Sequence, residues 1–365
     1  MGGDELIYLT ALQLTFRFQG GTARVLVDHF GSPSHIFQHS ADELSRLSGV
    51  PLHKTTQLLS VQTLKSAEEE IEWTLKEGIR TYTILDASYP KRLFHCPDAP
   101  VILYQKGAAN LSVEKSIAIV GTRSATPYGV HITKQIVKSL ASRGHQCNII
   151  SGLAYGIDIT AHLAALEVGL PTIAVFAFGL DHVHPTAHRS IAQKVVQHGA
   201  CVSDFPSKTE FTKSNFLKRN RIIAGLSDGL LVIESKERGG ALSTAQIAQS
   251  YDREVMALSG RWIDPYSQGC NRLIRDQRAA LVSKIEDIEQ QLNWIPSLHS
   301  SPNTVLPNHD LIDAGLLNAL EKGALSIDQL HRISQLPLPE LSTRLMRLTL
   351  KGIIRRLQQN QYCLS

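Results

Sequence analysis

No stretch of this 365-residue chain is long and apolar enough to read as a membrane span. The most apolar run, 172–180, is closed off by Pro171 and Asp181 and suits a central strand. The start, Met1-Gly2-Gly3-Asp4-Glu5, lacks the basic opening and apolar core of a secretory signal. CxxC pairs are absent too. Cys96, Cys147, Cys201, Cys270 and Cys363 are scattered and odd in number, which argues against a disulfide framework or a zinc site. No GxGxxG follows the first apolar strand of the central region and no acidic residue closes the second, so a dinucleotide-dependent dehydrogenase is weakly supported. Charge of one sign is scarce: a net +4 permits nucleic-acid binding without demanding it. These absences predict a cytoplasmic, globular protein of two or three domains with no membrane contact.

What is present centres on Ser116-Ile117-Ala118-Ile119-Val120, a buried strand by composition, which runs into Gly121-Thr122-Arg123-Ser124 and then into helical spacing. Strand, glycine turn and helix aim backbone amides and a positive helix end at an anion, and Arg123 adds a planar fork suited to phosphate. Further strands are read at 147–150, 172–178, 200–203, 229–233, 254–257 and 280–282, with helical segments between them. The alternation predicts an α/β, extended Rossmann-like, doubly wound and mostly parallel sheet whose ligand lies beyond the strand ends. The turns there are Ser151-Gly152-Leu153-Ala154-Tyr155-Gly156, Gly179-Leu180-Asp181, Ser203-Asp204-Phe205-Pro206 and Arg238-Gly239-Gly240-Ala241-Leu242-Ser243-Thr244. Several glycine and serine turns on neighbouring strands make a row of anion sites. A basic segment with an aromatic inside it, Lys213-Ser214-Asn215-Phe216-Leu217-Lys218-Arg219-Asn220-Arg221, fits phosphate contacts beside a stacked base.

Residues 1–80 read as a helical domain, SAM-like or helix-hairpin-helix-like, with glycine breaks at Gly20-Gly21 and Ser48-Gly49-Val50-Pro51. A bridging segment, 81–115, is marked as an extended crossing by Pro90, Pro97 and Pro100. The Rossmann-like domain is assigned 116–288, followed by a Pro- and Ser-rich linker over 289–309. Residues 310–365 read as three helices and a hairpin, a winged-helix-like domain. Arg344, Arg347, Lys351, Arg355 and Arg356 lie where a DNA reader would place them, and contact with protein is the competing reading.

The motifs Val120-Gly121-Thr122-Arg123-Ser124, Ser151-Gly152-Leu153-Ala154-Tyr155-Gly156-Ile157-Asp158 with Ala161-His162, Lys218-Arg219-Asn220-Arg221-Ile222-Ile223-Ala224-Gly225 and Asn271-Arg272-Leu273-Ile274 resemble the DNA-processing protein A family (DprA, also called Smf). The resemblance implies a non-catalytic protein, without cofactor or metal, that binds and protects incoming single-stranded DNA in natural transformation and loads RecA recombinase. It also implies a homodimer through the Rossmann-like domain. Carried over by motif, the DNA-binding residues would be Gly121, Arg123, Ser124, Ser151, Gly152, Lys213, Phe216, Arg219, Asn220, Arg221, Gly239, Gly240, Ser243 and Thr244. This chain departs from the family pattern at Gly239-Gly240-Ala241, Ser259-Gly260, Gly269-Cys270-Asn271 and His184-Pro185. The rival is an enzyme of the Rossmann-fold nucleotide phosphoribohydrolase type, whose phosphate loop Arg238-Gly239-Gly240-Ala241-Leu242-Ser243-Thr244-Ala245-Gln246 distantly resembles. Gln246 stands at that pattern's glutamate, and an amide cannot act as a general base. Asp158 and His162, four apart, read as a structural hydrogen bond or helix cap, since no third metal ligand is near.

Overall fold

The computed structural model describes residues 3–16, 20–296, 311–321, 323–350, 353–357 and 361–364. The chain divides into two compact units, Met1–His299 and Ser300–Ser365.

The first unit opens with α1 (Gly3–Phe16), α2 (Gly20–Phe30), α3 (Pro33–Ile36), α4 (Ala41–Ser48), α5 (Leu52–Leu58) and α6 (Val61–Lys76). Local signals set their ends. Ser40 and Glu43 form a reciprocal capping box at the start of α4, and Gly49 ends that helix in the left-handed region at φ 71°. These helices bury Leu9, Leu12, Phe16, Leu26 and Leu58 in an apolar core continuous with that of the following sheet. Polar ties reinforce the join: Gln13 donates to the Asp204 carbonyl at 2.6 Å, and Glu70 accepts from the Ser207 amide at 2.9 Å.

The sheet has nine strands: β1 (Arg80–Thr83), β2 (Ile102–Gly107), β3 (Lys115–Val120), β4 (Cys147–Ser151), β5 (Thr172–Val175), β6 (Ala200–Ser203), β7 (Gly229–Val232), β8 (Glu254–Leu258) and β9 (Ala280–Val282). Their order is β1-β2-β6-β5-β4-β3-β7-β8-β9. The segment 81–115, expected as a plain crossing, instead supplies most of β1 and all of β2, which pair antiparallel with each other and, through β2, with β6. The remaining seven strands are parallel. Ile117, Ile119, Ile149, Leu231 and Met256 pack on one face, and Ala118, Val120, Ile150, Leu230 and Val255 on the other. That alternation, apolar on both faces, is the mark of a sheet covered twice. After the short α7 (Lys91–Phe94) come α8 (Pro127–Ser142), α9 (Ile157–Val168), α10 (Arg189–His198), α11 (Lys213–Gly225), α12 (Gly240–Ser250), α13 (Gln268–Arg275) and α14 (Ile285–Leu292). Residues of α8, α9 and α14 join the Ile117 face, and residues of α11 and α12 the Ala118 face.

From β3 the chain steps out through β4, β5 and β6, then returns to β7 on the other side of β3. This reversal opens a crevice at the carboxyl ends of β3 and β7, the place where such sheets bind ligands.

The second unit contains α15 (Leu311–Glu321), β10 (Leu325–Ser326), α16 (Ile327–Ser334), α17 (Leu338–Leu350), β11 (Ile354–Arg356) and β12 (Gln361–Leu364), with sheet order β10-β12-β11. Its core is Leu316, Leu320, Leu330, Leu341, Leu345, Leu348 and Ile354. Two of the basic residues expected to face DNA are paired within the unit. The buried Asp313 carboxylate accepts from Arg344 at 3.0 Å and from Arg347. Arg355 and Arg356 are exposed, while Lys351 and linker residues 297–309 lie outside the described residues. No helix among the described residues is long and apolar enough to cross a membrane.

Candidate nucleic-acid interface

The crevice holds a cavity of about 730 Å³ formed by the ends of β3, β4 and β7 and the starts of α11 and α12. Its walls carry five cations, Arg123, Lys213, Arg219, Lys236 and Arg238, against a single carboxylate, Asp158, among the described residues. A concave wall so biased concentrates anions.

The turn after β3 differs from expectation in one respect. The N-terminus of α8 does not face an open anion site, because the buried Glu234, just past β7, occupies it. Its carboxylate accepts from the Thr126 amide at 2.9 Å and from the Thr126 hydroxyl. It also lies so close that a Cβ on Gly129 would stand 2.4 Å from Oε2. The carboxylate there satisfies the Thr126 amide, while the Thr126 hydroxyl accepts from the Gly129 amide at 3.1 Å, so the positive helix end is capped from within the protein. Arg123 remains exposed, with its guanidinium carbon 5.1 Å from the centre of the Phe216 ring. Gly121 is required by packing, since a Cβ would meet Ile157 Cγ1 at 2.5 Å.

The helix α11 brings Phe216 and Arg219 to the cavity. Arg219 is 4% exposed and donates to the Gly152 carbonyl at 2.9 Å and to the Val175 carbonyl. Burial lowers its pKa to about 10, with Asp158 opposing that shift and Arg123 adding to it, so it stays cationic at neutral pH. Gly152 lacks a side chain because Arg219 takes the space: a Cβ would stand 2.4 Å from Nη2. Asp158, buried beside them, accepts from the Gly152 amide at 3.2 Å and is held above the usual carboxylate range by burial. Around Phe216 gather Phe211 at 5.3 Å and His184 at 6.5 Å between ring centres, with His184 and Phe211 themselves 4.2 Å apart. Arg219 lies 5.8 Å from the Phe216 ring centre. Half-exposed rings interleaved with guanidiniums are what stacked bases meet on single-strand binding surfaces.

On the β7 side, Gly239 caps α12 without a side-chain partner, and Gly239, Gly240 and Ala241 line the cavity. The open amide-bearing helix end is therefore that of α12.

Of the residues singled out in the sequence, Gly121, Arg123, Ser124, Gly152, Lys213, Phe216, Arg219, Asn220, Gly239, Gly240 and Thr244 line the cavity. Three do not. Ser151 is buried in the sheet and donates to the Ile119 carbonyl at 2.7 Å. Arg221 turns to the opposite side of α11, where it pairs with the buried Asp204 and donates to the Asp98 carbonyl. Two helical residues two apart point about 200° from one another, so Arg219 and Arg221 cannot share a wall. Ser243 faces a neighbouring hollow of about 300 Å³, together with Gln246. Sequence reasoning missed Phe211 and Lys236, and it named Tyr155 and His184 in turns without counting them among the DNA-binding residues. Phe211 and Lys236 sit in loops of low periodicity, and proximity to the strand ends was their only signal.

His162 lies on α9 one turn beyond Asp158 and is fully buried. The Thr172 hydroxyl donates to the Ile149 carbonyl, so the His162 proton sits on Nδ1, 2.7 Å from Thr172 Oγ1. Burial, with Arg219 and His188 adding, lowers its pKa to about 3 from 6.5. The unfolded chain therefore takes up a proton below pH 6.5 that the folded one refuses. His162 should cost stability as pH falls from 6.5 toward 3, by up to about 1.4 kcal/mol per unit. Urea unfolding of wild type and His162→Gln across that range tests this; parallel curves would contradict it. Among the described residues no cluster of His, Cys, Asp or Glu is arranged to hold a metal.

A doubly wound sheet whose switch-point crevice is lined with cations and rings has the chemistry to meet phosphates and flat bases. This chain belongs to the DNA recombination-mediator protein A family, whose model matches residues 80–293, and a DprA winged helix domain matches residues 300–360. Protein Smf of Escherichia coli (strain K12) is 35% identical over 317 residues, 84% of this chain and 83% of that one. The DNA processing protein DprA of Bacillus subtilis is 38% identical over 218 residues, 60% of this chain and 72% of its own. Among solved structures, DNA processing protein A of Streptococcus pneumoniae aligns with a TM-score of 0.62 at 31% identity, covering 69% of this chain and 86% of that one. The Helicobacter pylori protein, solved for its single-stranded DNA binding mode, aligns with a TM-score of 0.53 at 30% identity, covering 60% and 97%.

Proposed function

We propose that this protein binds single-stranded DNA across the carboxyl ends of its parallel sheet and acts in DNA processing as a recombination mediator rather than as an enzyme. The observation that carries the reading is the Phe216 ring, with Phe211 and His184 beside it and the guanidiniums of Arg123 and Arg219 within 6 Å of its centre. Phosphates would meet Arg123, Lys213, Lys236, Arg238 and the α12 amides, while bases stack on rings that every base can use. The binding described for the Helicobacter pylori relative supports the same assignment. The family resemblance extends the reading to protection of incoming strands in natural transformation, loading of RecA recombinase and a homodimer through the Rossmann-like domain. The hydrolase alternative has less support, because Gln246 lines the neighbouring hollow and carries no basic carboxylate.

Fluorescence anisotropy with labelled poly-dT and a matching duplex, at two salt concentrations, tests this. The single strand should be preferred, and Lys213→Glu should weaken its binding about tenfold at low salt. The slope of log affinity against log salt should become shallower by about 0.7 for each phosphate that is no longer neutralised. Binding to neither nucleic acid, with hydrolysis of nucleoside monophosphates, would overturn the reading.

A further inference from the structure

We infer that the bound strand extends past the cavity onto the loop between β8 and α13, where Trp262 stacks a further base. Trp262 is 86% exposed and the adjacent Ile263 is 72% exposed. The loop that presents them is held by its own hydrogen bonds. Asp264 accepts through its carboxylate from the Tyr266 amide and the Ser267 hydroxyl, both at 3.0 Å. The Asn271 side chain both accepts from Gly260 N at 3.1 Å and donates to Gly260 O at 3.0 Å. The loop is also tied to the end of β7, where the Ser235 amide donates to the Tyr266 carbonyl at 2.7 Å. Trp262 and Ile263 side by side set an exposed apolar patch on an ordered turn, the kind of surface that ligands or partners cover.

Charge and continuity identify that partner. Lys236, a wall residue of the cavity, lies 5.1 Å over the Tyr266 ring, in the same loop as Trp262. Arg238 lines both the cavity and the neighbouring hollow, to which Arg272 and Arg278 contribute. Arg272 is partly matched by Asp276 at 3.6 Å, and Arg278 donates to Gln249, so Lys236 and Arg238 make the main cationic bridge. His184 and Phe211 enter the cavity from the loops after β5 and β6, while this path leaves on the β8 side. Phe216 reaches Arg123 at the end of β3, and β8 lies two strand spacings, about 10 Å, beyond β3, so the path continues past the rings. An anionic polymer carrying flat bases matches a cationic path that ends in an exposed indole.

The inference rests on the single-strand reading of the cavity and can be separated from it. The chain has three tryptophans; Trp294 is buried and Trp73 half-buried on α6, so Trp262 dominates the change in indole emission on binding. The full chain is titrated with dT oligomers of about four and about twenty nucleotides. The long oligomer should quench emission and the short one should bind without doing so. Trp262→Ala should weaken the long oligomer about tenfold and leave the short one within twofold, and Trp262→Phe should restore most of the affinity. Binding of both oligomers with no length-dependent quenching, and no change in Trp262→Ala, overturns the outer contact while leaving the cavity reading intact. A Trp262→Ala defect confined to sedimentation behaviour assigns the loop to a protein contact and overturns it as well. Failure of wild type to bind either oligomer overturns the cavity reading and this inference together.

Discussion

Arg123→Glu is expected to weaken binding of a dT oligonucleotide by about a hundredfold or more at low salt, with an unchanged urea midpoint. Arg123 sits exposed at the tip of the turn after β3, and its guanidinium meets the Phe216 ring rather than any carboxylate among the described residues. Removing it takes no buried partner with it, so folding stays intact. Reversing its charge sets an anion among Lys213, Lys236 and Arg238, where a phosphate is to lie. The reversal both removes one phosphate contact and sets a like charge against the strand, and the hundredfold expected corresponds to about 2.7 kcal/mol. Anisotropy and urea unfolding on one preparation decide it. Affinity within threefold of wild type would remove Arg123 from the site.

Arg219→Met should behave in the opposite way, lowering stability by about 3–5 kcal/mol and binding only as a consequence. Arg219 is almost fully buried where it lines the cavity, and its removal leaves the Gly152 and Val175 carbonyls without their donor. The buried Asp158 would be deprived of the cation that opposes its desolvation. A second change, Asp158→Asn, removes that stranded charge and should recover part of the stability. The urea midpoints of the two single variants and the double variant measure this coupling. An Arg219→Met protein as stable as wild type would show that the guanidinium does not brace the floor.

Six of the seven parallel strands were legible because each is an apolar run buried almost throughout, which needs no knowledge of its neighbours; the edge strand β9, with Leu281 exposed, was legible from its apolar composition alone. β1 and β2 were not. Arg80-Thr81-Tyr82-Thr83 is short and half polar, and the pairing of Tyr104 with Ser203 across the chain leaves no local signal. Pro90, Pro97 and Pro100, between the two strands, read as an extended crossing because extended backbone was all they encode. In the site, glycine turns and cations were visible, but which way each points was not. Arg221 shares a motif with Arg219 yet serves Asp204, and Gly121 makes room for Ile157. Glu234 was invisible as a cap because it reaches α8 from a strand end more than a hundred residues away.

That cap has a consequence for selectivity among cellular anions. The helix after the first strand of a doubly wound domain is where nucleotide-binding proteins receive a terminal phosphate. Here a tethered carboxylate fills that berth, so a free nucleotide entering end-on would have to evict a group whose local concentration it cannot match. The anion positions left open lie along the rim of the sheet, from the tip of the turn at Arg123 to the start of α12. A ligand profits from them only if it carries several phosphates in a row. On the single-strand reading proposed above, Glu234 would tilt the crevice toward a polymer and away from monomers.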